Sequence, residues 1–449
     1  MYLLEISGKY CKDVKIFTDN IEESALRLIY DIADERAFEG GKIRIMPDVH
    51  AGIGIVIGFS SPIDVEKGAV NPAHVGCDVG CTVSSHFYDV RMPSERIAEF
   101  EHKIRKEVPF GFELNTHSKI DVKTILKAFD GVLNRVCSMY PPLAEYRVRM
   151  KTEKDLEDWC KRLGMDFGVF LKSIGTVGGG NHFCEYDVND EKGLQCVTVH
   201  CGSRNLGIKV FNYWSRIAKT KAATKKALKA ITEKVKAEVK DKTILQEKIT
   251  EAHEAYKKTL LPNYLQGAEL YGYLIDMVLA QEYAALNHKV IHDAIDKIYA
   301  KMCGGKVIDT VTTTHNYIDF DFKALSGKPN MMIRKGAIRA YEGERCIIPF
   351  NMRDGLAICV GKSNEDWNYT APHGCGRLMS RSKAKENLDV EEFKKDMADH
   401  GVYTTTADKT TIDEAPNAYK SMDEIVKLIE PTVDILFFMK PIMNIKASE

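Results

Sequence analysis

Two kinds of hydrophobic pattern alternate along the chain. Short runs rich in valine, isoleucine and threonine are typical of buried strands, and they occur at residues 42–46, 54–59, 195–199, 306–311 and 356–360. Apolar residues at three- and four-residue spacing predict a long helix over residues 263–302. Shorter helices are predicted directly after Gly376 and over residues 390–397. This mixture predicts an α+β protein with mixed β-sheets.

Residues 216–258 differ in composition from the rest of the chain. They include 13 basic and six acidic residues and are rich in alanine. Their regular leucine, isoleucine and valine positions predict a helical hairpin that stands off the core, either as a solvated helix face or as an arm that faces phosphate. Strand-like runs with candidate ligands lie on both sides of it. We therefore expect one catalytic domain, residues 1–449, with residues 216–258 as a helical excursion.

Composition excludes several classes of protein. Apolar residues make up 44% and charged residues 28%, which excludes a mainly disordered or fibrous chain. No apolar stretch approaches the roughly 20 residues of a membrane span, and the first residues lack the apolar core of a signal peptide. The 12 cysteines show no regular spacing, which is typical of reduced thiols or metal ligands rather than of a disulfide framework. We therefore expect a cytoplasmic protein, and we expect no membrane partner. The net charge of −1 does not indicate a nucleic-acid-binding protein, although a locally basic groove is compatible with it.

Potential metal ligands recur in glycine-rich segments and at the ends of strand-like runs. These residues are Asp78, Cys81, His182, His200 and His315. Taken alone, each of these residues is more often a tightly packed or hydrogen-bonded core residue than a metal ligand. Together they form a coherent set for a transition metal, either one ion or two ions that share a bridging thiolate. Such a Cys/His set would ordinarily favour zinc or iron.

A second kind of chemistry is indicated by residues 371–381. His373 lies between a proline and a glycine, and we expect Arg377 and Arg381 to lie one turn apart on the helix that follows. An exposed histidine beside two arginines is suited to phosphoryl transfer, whereas the simpler interpretation is a turn with a surface histidine. Arg204 follows His200 after a turn of small residues and could hold phosphate.

Taken together and in this order, the motifs resemble the RtcB family of GTP-dependent RNA-splicing ligases. The matching segments are residues 46–50, Gly52, and residues 75–81, 175–185, 200–207, 281–287, 315–317, 334–337 and 373–381. The resemblance implies two Mn²⁺ ions per chain, bound by the five metal-ligand candidates with Cys81 bridging. It implies that His373 is the nucleophile that takes GMP from GTP.

The resemblance also implies residues that bind substrate. The guanylate would be surrounded by Asn181, Glu185, His315, Asn316, Pro349, Phe350, Asn351, Met352, His373, Gly374, Cys375, Gly376 and Lys446. RNA or triphosphate oxygens would be held by Arg204, Arg377 and Arg381. The implied reaction joins RNA ends that carry a 2′,3′-cyclic phosphate or 3′-phosphate to 5′-hydroxyl ends, in tRNA splicing or RNA repair, with archease as a possible activating partner.

Two other functions remain compatible with the residues. One is a two-metal phosphoesterase that uses the same centre without a covalent nucleotide. The other is a non-catalytic protein that binds RNA ends for repair, although the presence of every ligand type together with His373 argues against it.

The chain departs from the family pattern near the expected nucleotide. Residues 349–352 read Pro-Phe-Asn-Met instead of Pro-Gly-Ser-Met, and Leu356 replaces a serine. Cys375 replaces an alanine beside His373, and Lys446 is followed by alanine instead of glycine. The variant residues 349–352 and the Ala-Pro pair before His373 favour a divergent branch of the family, for which we expect RNA repair rather than tRNA splicing.

Overall fold

Two large β-sheets and one long buried helix organise the chain. The computed structural model describes residues 3–220, 225–239, 241–259, 261–327 and 330–448. Residues 221–224 and 240 of the predicted excursion lie outside the described residues. The strands are β1 (Leu4–Ile6), β2 (Asp13–Ile16), β3 (Lys42–His50), β4 (Ile57–Asp64), β5 (Thr82–Tyr88), β6 (Phe183–Asn189), β7 (Leu194–Cys201), β8 (Val307–Thr314), β9 (Asn316–Asp319), β10 (Asn330–Lys335), β11 (Ala337–Arg339), β12 (Arg345–Asn351), β13 (Gly355–Gly361), β14 (Thr370–Pro372) and β15 (Val433–Ile445).

Helices separate many of the strands along the chain. They are α1 (Glu23–Ala33), α2 (Ile97–Glu107), α3 (Val122–Met139), α4 (Glu153–Leu163), α5 (Phe167–Ser173), α6 (Asn205–Lys219), α7 (Lys225–Glu238), α8 (Leu245–Thr259), α9 (Gly267–Cys303), α10 (Phe322–Ser326), α11 (Arg381–Asn387), α12 (Val390–Asp399) and α13 (Met422–Ile429). No helix within the described ranges combines the length and the apolar character that crossing a membrane requires.

The six-stranded sheet is mixed, as the sequence predicts, whereas every described strand pair of the seven-stranded sheet is antiparallel. A six-stranded sheet has the order β1-β2-β3-β4-β10-β9, and a seven-stranded sheet has the order β12-β13-β15-β6-β7-β5-β8. The short strands β11 and β14 form a separate pair. The pair β2 and β3 is parallel, and the pairs around it, such as β1–β2 and β3–β4, are antiparallel. This arrangement confirms the α+β class.

Helix α9 crosses the centre of the molecule. It starts at Gly267, close to the predicted boundary, and buried residues occur on all sides of it. The buried carboxylate of Asp276 accepts hydrogen bonds from the indole N–H groups of Trp159 (2.8 Å) and Trp214 (2.7 Å). It also pairs with the Arg162 guanidinium at 2.6 Å. Because a buried charge must be paired to be tolerated, this cluster ties α4 and α6 to α9.

Two element boundaries differ from the sequence-based prediction. The strand predicted from residue 54 begins at Ile57. Gly54 has a φ of 76°, and the carbonyls of Ile53 and Ile55 accept hydrogen bonds from the Lys335 side chain instead of from a neighbouring strand. The helix predicted directly after Gly376 begins only at Arg381. Arg377 instead forms an isolated bridge with Tyr419, so the expectation that two arginines lie one turn apart on that helix is wrong.

The described part of the lysine-rich segment is helical. Residues 216–219 complete α6, whose Trp214 and Ala218 are buried, whereas α7 and α8 pack against each other. Ser203, Leu206 and their neighbours join α6 to the core, so the segment departs from the core only after α6. Its role as a separate excursion of one domain stays a prediction.

Candidate metal centre and adjoining cavity

Adjacent strands of the seven-stranded sheet bring the five metal-ligand candidates together. Asp78 and Cys81 lie in the turn that leads into β5, and His182 directly precedes β6. His200 is near the end of β7, opposite the start of β5, and His315 directly follows β8, the neighbour of β5 on its other side. Strand pairing therefore assembles residues that are far apart in sequence.

The five side chains form two groups that share one atom. Cys81 Sγ lies 3.4 Å from His182 Nε2 and 3.2 Å from His200 Nε2. His182 Nε2 is also 2.9 Å from Asp78 Oδ2, and His200 Nε2 is 3.3 Å from His315 Nε2. The first group is thus Asp78, Cys81 and His182, and the second is Cys81, His200 and His315. The thiol is common to both groups, as a bridging ligand would be.

Burial controls the protonation of these groups. It lowers the pKa values of His200 and His315 well below the usual value, so both imidazoles are neutral and offer a lone pair. Burial, followed by the charge of Asp78, raises the pKa of the Cys81 thiol well above its usual value. His182 is the exception. Burial lowers its pKa, but the charges of Cys201 and Asp78 together outweigh burial and raise the pKa to about 9.

This donor set fits two divalent ions. The neutral imidazoles of His200 and His315 and the imidazole of His182 converge with a carboxylate and a thiol, with Nε2, Oδ2 and Sγ atoms at distances of 2.9–3.4 Å. A nearby cation would stabilise the thiolate that burial otherwise disfavours. In the described part of the chain, Nδ1 of His182 and Nδ1 of His315 have no hydrogen-bond partner, so neither ring is fixed by a competing bond through that atom.

His373 lies beside this centre and is held by an aspartate. Its ring centroid is 4.8 Å from that of His315. The Asp48 carboxylate Oδ2 lies 2.5 Å from His373 Nδ1 and also accepts a 3.1 Å hydrogen bond from the His373 backbone N–H. Because a carboxylate accepts the Nδ1 proton, the lone pair of the neutral imidazole is on Nε2. That tautomer is the one a nucleophile requires.

A glycine permits the close approach of the two segments. Gly376 has a φ of 75°, and a Cβ atom there would lie 2.1 Å from the Asp48 carbonyl oxygen. Another residue at this position would clash with the backbone of β3 and would be strained in the left-handed region. Gly376, three residues after His373, therefore allows the histidine segment to lie against Asp48, a role that the sequence did not indicate.

A cavity of about 620 Å³ opens beside His373 and His200. The predicted residues that line it are Asn181, Glu185, Pro349, Phe350, Asn351, Met352, Gly374, Cys375, Gly376, Arg377, Arg381 and Lys446. Residues 349–351 form the end of β12 and are fixed by its pairing with β13. Such a cavity, with apolar walls and a few polar groups, is typical of a small-ligand site.

One end of the cavity carries buried hydrogen-bonding groups suited to a nucleobase. Asn444 Nδ2 donates to Glu185 Oε2 at 2.6 Å, and among the described residues the Asn444 side-chain oxygen has no partner. Burial, together with nearby Asp187, raises the pKa of Glu185 well above its usual value. Lys446 Nζ lies 5.4 Å from the ring centroid of Phe183. A ligand with N–H donors would satisfy acceptors that the fold leaves there.

The same cavity also contains a cluster of cations around Glu414, to which Lys446 belongs. Arg377, Arg381 and Lys446 all pair with its carboxylate, Lys446 at 3.1 Å and Arg377 at 3.2 Å. Tyr419 Oη donates to it at 2.7 Å. Burial alone would raise the pKa of Glu414, but these cations lower it to about 2. Two of the three arginines predicted to hold phosphate oxygens, Arg377 and Arg381, are therefore already positioned by an internal anion.

Arg204 lies close to the candidate metal ligand His182. Its Nε donates to Thr176 Oγ1 at 2.9 Å, and an Nη2 donates to the Gly111 carbonyl. A Cβ atom on Gly178 would lie 2.3 Å from Arg204 Nη1 and 2.2 Å from His182 Nδ1, so both side chains pass over this glycine. Arg204 has φ 54° and ψ −143°, a conformation that costs of order 1–3 kcal/mol outside glycine and is concentrated at functional sites.

Two predicted nucleotide contacts, His315 and Asn316, lie outside the set of residues that line the cavity. The Asn316 side chain donates to the Asp78 carbonyl at 3.1 Å and accepts from the Gly336 N–H at 2.8 Å, outside the set of cavity-lining residues. It supports the metal-ligand turn, and its contact with a nucleotide stays a prediction. Asp48, Glu414 and Asn444 were not singled out in the sequence. Asp48 alone had a signal, because it lies within the matching segment 46–50.

Comparisons with known proteins agree with this geometry. The family model described as tRNA-splicing ligase RtcB matches residues 34–447. The chain is 28% identical over 419 residues to RNA-splicing ligase RtcB of Escherichia coli K12, with 90% of each chain covered. It is 26% identical over 432 residues to tRNA-splicing ligase RtcB of Nanoarchaeum equitans, covering 86% of this chain and 83% of the relative. With nearly its whole length matched, this chain belongs to the RtcB family.

Proposed function

We propose that this protein is an RNA ligase that joins a 3′-phosphate or 2′,3′-cyclic phosphate end to a 5′-hydroxyl end through a GMP–histidine intermediate. The observation that carries the proposal is the position of His373. Its ring lies 4.8 Å from that of His315 and is held by Asp48 in the same cavity wall as Glu185 and Lys446. A phosphoesterase would need no such histidine beside its metal ligands.

His373 forms the covalent intermediate. Nε2 of the neutral imidazole attacks the α-phosphorus of GTP, the bond to the bridging oxygen breaks, and pyrophosphate leaves. Asp48 accepts the Nδ1–H bond and stabilises the positive charge that develops on the ring. The Asn444 side-chain oxygen would accept an N–H group of the guanine, and the neighbouring Glu185 carboxyl would make a second polar contact, which would orient the nucleotide for in-line attack.

The remaining steps move the GMP to RNA and then release it. Water opens a cyclic end to a 3′-phosphate; an oxygen of that phosphate takes GMP from His373 and frees the imidazole. The 5′-hydroxyl oxygen then attacks the activated phosphate, and GMP leaves as the new phosphodiester forms. Arg204, Arg377 and Arg381 supply guanidinium groups suited to the phosphate oxygens.

Two manganese ions, held by Asp78, Cys81, His182, His200 and His315, would supply positive charge against the negative charge that builds on phosphoryl oxygens. We propose manganese from the family resemblance, since the ligands themselves would also suit zinc. The physiological reaction we propose is tRNA splicing or RNA repair in the cytoplasm, with archease as a candidate activating partner.

One incubation separates this function from its rivals. The protein is mixed with manganese and α-labelled GTP and then with RNA that carries a 3′-phosphate and a 5′-hydroxyl. A ligase gives labelled protein first, and joined RNA with free GMP afterwards. Hydrolysis of RNA ends without labelled protein would identify a phosphoesterase, and RNA binding without either product would identify a non-catalytic protein.

A further inference from the structure

A second group of histidines lies on the reverse face of the sheet that carries the metal centre. His288, His292 and Asp296 follow one another at four-residue spacing and therefore share one face of α9. They meet Ser84 and His86 of β5. Side chains alternate along a strand, and His200 is paired with Val83, so Ser84 and His86 point away from the catalytic side.

The members of this group differ in how their ring nitrogens are used. His288 has both nitrogens engaged, Nδ1 with Ser84 Oγ at 2.6 Å and Nε2 with the Cys201 carbonyl at 2.9 Å. His292 Nε2 lies 2.8 Å from the same hydroxyl, whereas its Nδ1 has no partner among the described residues. His292 is only 1% exposed, so this unpaired nitrogen is cut off from bulk water. A buried polar atom in that state calls for a ligand.

His86 and Asp296 complete a set around His292. His86 Nδ1 lies 3.1 Å from Asp296 Oδ2, and the His86 ring stacks on that of His292 with 3.7 Å between centroids. Burial, followed by the charge of His86, lowers the pKa of His292 well below its usual value, so its imidazole is neutral and keeps a lone pair. One nitrogen or oxygen atom from each of the three residues lies within 4.8 Å of the others.

We propose that His86, His292 and Asp296 bind one further divalent transition-metal ion, of the zinc class, on the reverse face of the sheet. Two imidazoles and a carboxylate are a ligand set that zinc prefers, with bonds of about 2.0–2.2 Å. The three ligand atoms now lie within 4.8 Å of one another, so they must move closer together to bind one ion. His86 makes this adjustment by turning out of its stack, which its 22% side-chain exposure permits.

The surroundings allow an ion to enter and water to complete its coordination. A cavity of about 350 Å³ is lined by His86, His288 and His292. This site shares no ligand with the catalytic set of Asp78, Cys81, His182, His200 and His315. The ion would fasten α9 to β5, the strand that begins directly after Cys81, and would thereby support the metal-ligand turn from behind.

Metal content of variants tests this site independently of RNA ligation. The Cys81→Ala protein, which has lost the shared thiol of the catalytic centre, is equilibrated with zinc, freed of excess ion by gel filtration, and analysed for zinc per chain. We expect about one zinc to remain. The ion should be lost when His292→Ala or His86→Ala is added. It should remain with His288→Gln, the matched control on the same helix face.

Cobalt provides a second measurement, which needs the Cys81→Ala protein but not the His86 or His292 variants. Cobalt bound to the Cys81→Ala protein should give visible d–d absorption of a nitrogen- and oxygen-ligated ion without thiolate charge-transfer bands. Absence of any retained zinc or cobalt in Cys81→Ala would overturn the proposal. Equal retention in folded Cys81→Ala/His292→Ala protein would overturn it as well.

Discussion

The carboxylate Oδ2 of Asp48 lies 2.5 Å from Nδ1 of His373, although 325 positions separate the two residues. Asp48 is fully buried in β3 and His373 follows directly after β14. The contact fixes both the tautomer and the orientation of the imidazole, because the same carboxylate also accepts the backbone N–H of His373. Asp48 therefore acts as a positioning residue for the proposed nucleophile.

Replacing Asp48 should slow formation of the GMP adduct selectively. Asn has the same shape but no negative charge, so Asp48→Asn should reduce the rate of labelling from α-labelled GTP by about 10²–10⁴-fold. Manganese content should be unchanged, and RNA pre-activated with GMP should still be sealed at nearly the parent rate. Equal losses in labelling and in sealing of pre-activated RNA would show that Asp48 has a general structural role instead.

Cys81 should be needed for both ions of the catalytic centre. Its Sγ belongs to both ligand groups, whereas His182 belongs to one. Manganese titration should therefore show loss of both ions in Cys81→Ala and loss of one in His182→Ala. Two manganese ions remaining in Cys81→Ala would rule out a bridging thiolate.

Glu414 should make the free energy of unfolding depend on acid pH. Its folded-state pKa of about 2 lies below the ordinary value of 4.5, so its stabilising contribution is present above pH 4.5 and is lost as the pH falls toward 2. Glu414→Gln should cost on the order of 3 kcal/mol at pH 7, measured by chemical denaturation. The difference from the parent should shrink between pH 4.5 and 2.

An exposed ion pair provides the control for that measurement. Glu251 pairs with Lys248 on α8 with 55% of its side chain exposed. Glu251→Gln should change the free energy of unfolding by less than about 1 kcal/mol at every pH. A Glu414→Gln effect as small as this, and independent of pH, would contradict the role of the buried cation cluster.

Asp276 should be important for stability without contributing to chemistry. It is buried and is bonded to Trp159, Trp214 and Arg162. Asp276→Ala leaves the guanidinium and both indole N–H groups without their partner, which should cost about 3–5 kcal/mol in the free energy of unfolding. The temperature at which adduct formation fails should fall accordingly, whereas its rate at low temperature should be preserved. A variant as stable as the parent would contradict this account.

The residues predicted from sequence were those that carry their own local signal. His200 and His315 each lie at the end of a strand-like run of the sequence, and in the structure their Nε2 atoms are 3.3 Å apart. The long helix α9 and the α+β class were likewise predicted correctly, because the spacing of apolar residues is a local property of the sequence.

The residues that were missed depend on contacts between distant parts of the chain. Nothing near Asp48 indicates that it meets His373, and nothing near Glu414 indicates that it gathers three cations. The late start of α11 has the same origin. Arg377 pairs with Tyr419 in an isolated bridge, and tertiary pairing of this kind overrides a local helical preference.

The most direct test of the account is transfer of label from α-labelled GTP to the His373→Ala protein. His373 lies outside both ligand groups, so this variant should bind manganese as the parent does but form no covalent adduct. It should still seal RNA that has been pre-activated with GMP, and the parent's adduct should be labile to acid and stable to alkali, as a phosphorus–nitrogen bond is. An acid-labile labelled adduct on His373→Ala would show that another residue is the nucleophile and would contradict the central claim.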